Sequence, residues 1–227
     1  MVKYSGRFVV KDIANNRQYL ADMLYGWNVG DNLTGWTLAD TTIPTIAADG
    51  TIRLYDNTAG GGGSSLYYPI NIYGNLWTVL SFKFTRKADD VIVAPYDFNG
   101  VIEPWLSANP QGARFDFTDF TRRMDWISGG WLGTYQAIPF AVPTPETEYQ
   151  VALIIHPRDV ICIIDGIWMG NIPIGRNGNA PLSLPPLQYY RANPKSISFD
   201  AHHGAGGVNH YRIRDIKIGR LVGVGDV

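Results

Sequence analysis

From Tyr149 to Ile174 the chain reads YQVALIIHPRDVICIIDGIWMGNIPI. Two apolar runs are separated by a Pro-Arg-Asp break, and an Asp-Gly pair closes the second. Asp-Gly is a strong short-range signal for a hairpin turn, because Gly accepts positive φ at no steric cost and Asp tolerates it. Asp165 is therefore read as a turn residue and not as a catalytic carboxylate at a strand end. Val160–Ile164 is apolar at every position, as a strand buried on both faces requires. This hairpin commits the chain to a covered β-sheet.

The rest of the sequence agrees. Only Glu103, Glu146 and Glu148 stand among the 20 acidic residues, so the remainder are Asp. Glu favours helices, whereas Asp and the 25 Gly favour turns, and the 9 Phe, 7 Trp and 13 Tyr favour strands. In WTVLSFKFT (77–85), Leu80, Phe82 and Phe84 alternate with Ser81 and Lys83, the period of a half-buried strand. Further strands are expected at 51–55, 90–98, 113–120, 124–128, 196–203 and 210–219. In the last of these Tyr211, Ile213 and Asp215 should oppose Arg212, Arg214 and Ile216. GGGGSS (60–65) reads as a flexible connection: it lacks the Gly-Lys-Ser/Thr of a phosphate-binding loop. Residues 11–25 are the best helix candidate, with Ile13, Leu20 and Leu24 on one face and Asp12 as cap.

At 227 residues the chain fits one all-β domain. Its net charge of −1 provides no basic field for nucleic acid or an acidic membrane surface. The Arg122-Arg123 pair reads as solvated surface. Residues 1–20 lack the apolar core of a signal peptide, and no run approaches the roughly 20 apolar residues of a membrane span. No membrane insertion is expected, and localisation stays open. The NLT triplet at Asn32 is a sequence match for N-glycosylation. Cys162, the single cysteine, excludes an intrachain disulfide and reads as a small buried hydrophobe.

Several stretches resemble the concanavalin A-like (laminin G-like) jelly rolls. GWNVGDNLTGWTLADTTIPTIAADGTIRLYDNTAGGGGSSLYYPI is similar to their opening strands, and YQVALIIHPRDVICIIDGIWMG to their later hairpin. FDAHHGAGGVNHYRIRDIKIGRL is similar to their closing pair. The resemblance covers residues 27–222. It implies an all-β, two-sheet antiparallel jelly-roll sandwich over residues 27–227, with residues 1–26 as a helical or extended N-terminal arm. The same fold serves lectins, glycosidases, binding modules and viral coat components.

Candidate chemistry is sparse. Glycoside hydrolysis needs two carboxyl groups, and the resemblance implies a Glu-x-Asp-x-x-Glu strand. RFDFTDF offers Asp116 and Asp119 but neither glutamate, and on a regular strand the two fall on opposite faces. His203 and His210 are the residues that two strands joined by GAGGV could bring to a metal; adjacent His202 and His203 point apart. No calcium-loop spacing exists, and no cofactor is expected. Trp105, Trp126, Trp131, Tyr135, Tyr189 and Tyr190 lie in or beside Gly/Pro-rich connections. Such aromatics stack on sugar rings, join subunits, or plug the ends of a sandwich core. Trp77 and Trp168, inside strands, read as core.

The expectation is a non-catalytic surface or assembly module that forms a homo-oligomer or repeating assembly. A virus or phage decoration or fibre protein is the context considered. A stand-alone lectin-like carbohydrate-binding module is the alternative, and a glycoside hydrolase on the same fold the second alternative.

Overall fold

Asp165 and Gly166 both adopt positive φ, 50° and 76°, between the paired residues Ile164 and Ile167. That is the two-residue hairpin turn whose twist matches its strands. Asp165 donates its N–H to Gln150 O (2.9 Å), and its Oδ1 accepts the Gln150 N–H (2.7 Å). The carboxylate locks the turn to the neighbouring strand.

The computed structural model describes residues 1–3, 5–70, 78–94, 97–103, 111–118, 122–128, 134–155, 159–173 and 196–227. Among them are seventeen strands and no helix. The first seven are β1 (Val2–Lys3), β2 (Arg7–Asp12), β3 (Arg17–Trp27), β4 (Thr37–Ala39), β5 (Thr45–Ile46), β6 (Ile52–Asp56) and β7 (Gly62–Pro69). Then come β8 (Thr78–Arg86), β9 (Asp97–Glu103), β10 (Gln111–Thr118), β11 (Arg122–Ser128) and β12 (Thr134–Ala137). The last five are β13 (Glu148–Ile155), β14 (Asp159–Ile164), β15 (Ile167–Pro173), β16 (Ser196–His203) and β17 (Asn209–Gly225).

Ten strands form an antiparallel sheet with the path β1-β3-β17-β8-β13-β14-β15, β2 lying on β3, and β6, which carries β5, on β17. A seven-stranded sheet of order β12-β11-β10-β9-β16-β7-β4 faces it. Alternation explains the layering. Leu80, Phe82 and Phe84 of β8 and Val151, Leu153 and Ile155 of β13 are buried against Phe98, Phe115, Ile197 and Phe199. Phe98 stacks on Tyr211 with centroids 4.2 Å apart, and Phe82 meets Phe199 edge-on at 4.9 Å. Such pairs add about 0.5–1.5 kcal/mol each beyond their area burial.

The predicted helix over residues 11–25 does not form. Asp12 accepts from the Asn15 N–H and side chain, and Asn16 takes φ 49°, so the Asn-Asn pair makes a hairpin turn between β2 and β3. The long edge of β17 then pairs with β3 from Gln18 to Trp27, and sheet pairing overrides the helical spacing. β17 is irregular between Ile218 and Gly219 and between Leu221 and Gly223, and such bulges bend a sheet. The bend brings β2 round to the β14–β15 turn, where the Ile13 N–H donates to Gly166 O (2.7 Å). Phe8, Val10, Tyr19 and Ala21 thereby cover Val79, Ala152, Ile154 and Ile163 in a second buried cluster. This is why β14 is apolar on both sides. Burial pushes the Cys162 thiol up to about 12, which leaves it an inert core residue.

Four other expectations change. Gly62 to Ser65 of the Gly-rich run belong to β7 and are not a loop. Residues 90–94 are not a strand, since only Val91 makes a bridge, to Val208, and β9 begins at Asp97. In β17 Asp215 takes φ 53° at a bulge, so Ile216 is buried on the same side as Tyr211 and Ile213. Trp168 is 39% exposed, because it sits on β15 at the end of the described sheet path. Trp77 lies outside the described residues.

Candidate functional site

The outer face of the seven-stranded sheet carries a cleft of about 260 Å³ lined by Ala39, Ser65, Leu66, Tyr67, Ser196, Ser198 and Asp200. Period two builds it. On β16, Ile197, Phe199, Ala201 and His203 turn into the sandwich, which leaves Ser196, Ser198, Asp200 and His202 on the other face. β7 pairs alongside and sets Tyr67 opposite Ser198 and Ser65 opposite Asp200. Tyr67 is 41% exposed, an aromatic side chain left at the surface of a mostly apolar cleft that carries a few hydroxyl and carboxyl groups.

One end of the cleft is held by an acid–imidazole pair. Asp40, directly after the edge strand β4, adopts φ 85°. Its Oδ2 accepts the Ser65 hydroxyl (2.9 Å) and lies 2.6 Å from His202 Nε2, and its Oδ1 accepts the Thr41 N–H. Burial works against its charge, but Ser65, His202 and Thr41 together hold the carboxyl below the usual carboxylate range. The His202 ring lies across Gly63: a Cβ on that residue would come 2.2 Å from His202 Cδ2. The Gly-rich run is thus a bed for the imidazole.

His203, the next residue, points inward. Its Nε2 is 2.9 Å from Asp56 Oδ1 and its Nδ1 2.8 Å from Gly204 O, and both side chains are fully buried. Asp56 also accepts the Thr42 hydroxyl (2.6 Å) and the Thr58 N–H (2.7 Å). Burial raises the cost of its charge, yet these bonds hold its carboxyl below the ordinary value. Asp40 and Thr42 are two residues apart, so one loop clamps the outer histidine directly and the inner one through Asp56.

His210 lies elsewhere. It pairs with Tyr55, whereas His203 bonds Asp56, and consecutive residues of β6 point to opposite faces. His210 Nδ1 is 2.6 Å from Asp89 Oδ1. Burial lowers its pKa despite Asp89. His203 and His210 do not converge, and no group of three His, Cys, Asp or Glu side chains among the described residues could hold a metal.

The other candidates are placed by backbone register or lie outside the described residues. Asp116 pairs with Asn99, which pairs with Asp200, so Asp116 shares the rung of Asp200 and Ser65. Tyr135 is on the Tyr67 rung, through Asp125, Arg114, Val101 and Ser198. Trp126 is on the rung of Ala113, Ile102 and Ile197. Trp105, Asp119, Trp131, Tyr189 and Tyr190 lie outside the described residues. Ser65, Tyr67, Asp200 and His202 were legible as the polar partners of apolar positions in SLYYPI and SISFDAHH. Asp40 was not, since 162 residues separate it from His202.

No family model matches the chain, and no curated protein matches it in sequence. Solved structures do match in fold. The carbohydrate recognition domain of Emp47p superposes with TM-score 0.60 at 10% identity, over 87% of this chain and 96% of that one. The Lotus tetragonolobus seed lectin gives 0.59 at 9% identity, over 89% and 98%. A sialidase gives 0.54 at 13% identity over 89% of this chain, which spans 21% of the sialidase. With its two facing antiparallel sheets, the chain has the concanavalin A-like jelly-roll fold.

Proposed function

We propose that the protein binds carbohydrate in the cleft between β4, β7 and β16, without catalysis. The observation that carries this reading is the half-exposed Tyr67 ring set beside Ser65, Ser198 and Asp200, with the His202–Asp40 pair at one end. A sugar ring presents an apolar C–H face to an aromatic side chain, while its hydroxyls take both donors and acceptors. At about 260 Å³ the cleft lies below the roughly 300–1,000 Å³ of drug-sized pockets, a size for one or two sugar rings. The lectin and Emp47p folds support the reading by analogy of architecture.

A glycan array followed by calorimetry on the hits tests this. Tyr67→Ala is expected to weaken binding about tenfold, since loss of one aromatic stack costs about 1 kcal/mol or slightly more. Hits that bind Tyr67→Ala and Asp200→Ala as tightly as the parent would remove the cleft as the site.

Self-association is the second reading, supported by Ile13, Ile167 and Trp168. They are 63%, 53% and 39% exposed, and Ile13 packs against Gly166 of the same turn. Light scattering over a concentration series should report an oligomer that Trp168→Ala weakens. A monomer at every concentration removes this reading.

A further inference from the structure

Among the described residues, the outer face of the ten-stranded sheet is covered by the β2–β3 hairpin at one end only. At the other end β5, β6, β17, β8 and β13 lie side by side, and their outward residues carry unusual charge. Arg53 of β6 and Arg212 of β17 are direct register partners. Like charges opposite one another destabilise a sheet.

The neighbouring cations are neutralised. Arg214 holds Glu148, Lys83 reaches Glu148 and Asp215 (3.4 Å each), and Lys87 pairs with Glu146. Arg53 and Arg212 differ: among the described residues, the buried Nε of each and the buried Nη1 of Arg212 have no acceptor. The Arg53 guanidinium lies over the Tyr55 ring at 4.0 Å, which fixes its position. Asp49, the carboxylate with most influence on Arg212, has its Oδ1 engaged by the Thr51 N–H and hydroxyl. His210 Nε2, two rungs away on the same face, is also buried without a partner among the described residues. Arg212 lines a cleft of about 270 Å³ with Lys83, Lys87 and Arg214, and the carboxylates Asp49 and Glu148 line it too, which leaves the cations in excess.

Water could satisfy the N–H groups but not the charge. An anion would do both. The Nε and Nη1 of Arg212 carry three unpartnered N–H groups between them, which exceed what a single carboxylate oxygen takes and suit an anion with several oxygens. We propose that this cleft is an oxoanion site with Arg212 as its donor and Arg53, its register partner, as a second positive charge behind it, for sulfate or phosphate, free or as the monoester of a small ligand. The site is on the opposite sheet from the carbohydrate cleft and does not depend on it.

The test titrates the full chain with sodium sulfate, sodium phosphate, N-acetylglucosamine 6-sulfate or sodium acetate, with ionic strength held constant by chloride. Arginine Nε–H resonances and the melting temperature are the readouts. Saturable shifts of the Arg212 resonance are expected, with at least tenfold weaker binding in Arg212→Gln and a smaller loss in Arg53→Gln. Sulfate stabilises most proteins by exclusion from their surface, so the melting readout is the excess rise in the parent over either variant. In chloride both variants should melt no lower than the parent, because the like-charge contact is gone; if one fails to fold, the other carries the test. Equal affinity for inorganic sulfate and the sugar sulfate assigns recognition to the anion alone. Tighter sugar sulfate binding supports a monoester ligand. A linear response, shifts matched by the variants, or acetate binding as tight as sulfate overturns the proposal.

Discussion

His202 and His203 are neighbours in the chain, and each faces an aspartate, yet the two pairs live in different solvents. His203 and Asp56 are sealed in the sandwich with no side-chain exposure, whereas the His202 side chain is 41% exposed and that of Asp40 26%. The contact distances, 2.9 and 2.6 Å, do not reveal the difference in energetic weight. Inside, the lost partner cannot be replaced by water, so the pair is structural. Outside, water competes with every contact, so the pair can exchange its partners for those of a ligand. One strand, through its two-residue period, thus serves the core with one imidazole and the cleft with the next.

The largest effect should come from His203→Ala. It leaves the Asp56 carboxylate buried without its imidazole, and breaking a buried pair from one side costs roughly 3–5 kcal/mol. Urea unfolding is expected to report that loss; one below 1 kcal/mol would mean that Thr42 and Thr58 suffice for Asp56. Next comes Gly63→Ala. The new methyl would stand 2.2 Å from His202 Cδ2 and 2.8 Å from Ala201 O, so both the imidazole and the backbone must shift. Overpacking of this kind costs roughly 1–3 kcal/mol. It should also weaken glycan binding, thereby coupling the two halves of the comparison.

Acid separates the pairs by a different route. The carboxyl of Asp56 is held below its unfolded value, so its contribution is complete above that value, about pH 3.9, and is lost as pH falls through the lower folded value. Asp40 has the same sign in a more exposed setting. The unfolding free energy of the parent should therefore fall steeply below about pH 4, and Asp56→Asn should flatten that slope more than Asp40→Asn. Equal slopes for the two variants would dissolve the distinction between buried and open pairs.

Parts of this arrangement were readable in the chain and parts were not. The Asp165-Gly166 turn, the alternation of β8 and the opposed directions of His202 and His203 are local properties, set by φ preferences and a period of two. The helix expected over residues 11–25 failed because Leu20 and Leu24 fit a helical spacing equally well, and the deciding partner, β17, lies about 200 residues away. The Gly-rich run misled for a related reason: it looks like a linker, but Gly62 and Gly63 are needed where Asp56, Thr41 and His202 crowd the strand. Asp40, Asp56 and the facing Arg53 and Arg212 are all non-local pairings, and composition carries no trace of them.

The smallest expected effect on stability, and the sharpest on function, is that of His202→Ala. Exposed ion pairs contribute about 0.2–1 kcal/mol, so unfolding by urea should barely move. A double-mutant cycle with Asp40→Ala should return a coupling within the same range. Glycan affinity should fall nevertheless under the proposed reading, because the imidazole bonds Asp40, which follows the cleft residue Ala39 and takes φ 85°. Binding that survives His202→Ala but not Tyr67→Ala would confine recognition to the middle of the cleft and leave the outer pair as a clamp on the β4 loop. A stability loss above 2 kcal/mol would instead mean that the outer pair is structural too, and the contrast between the neighbouring histidines would reduce to one of exposure without consequence.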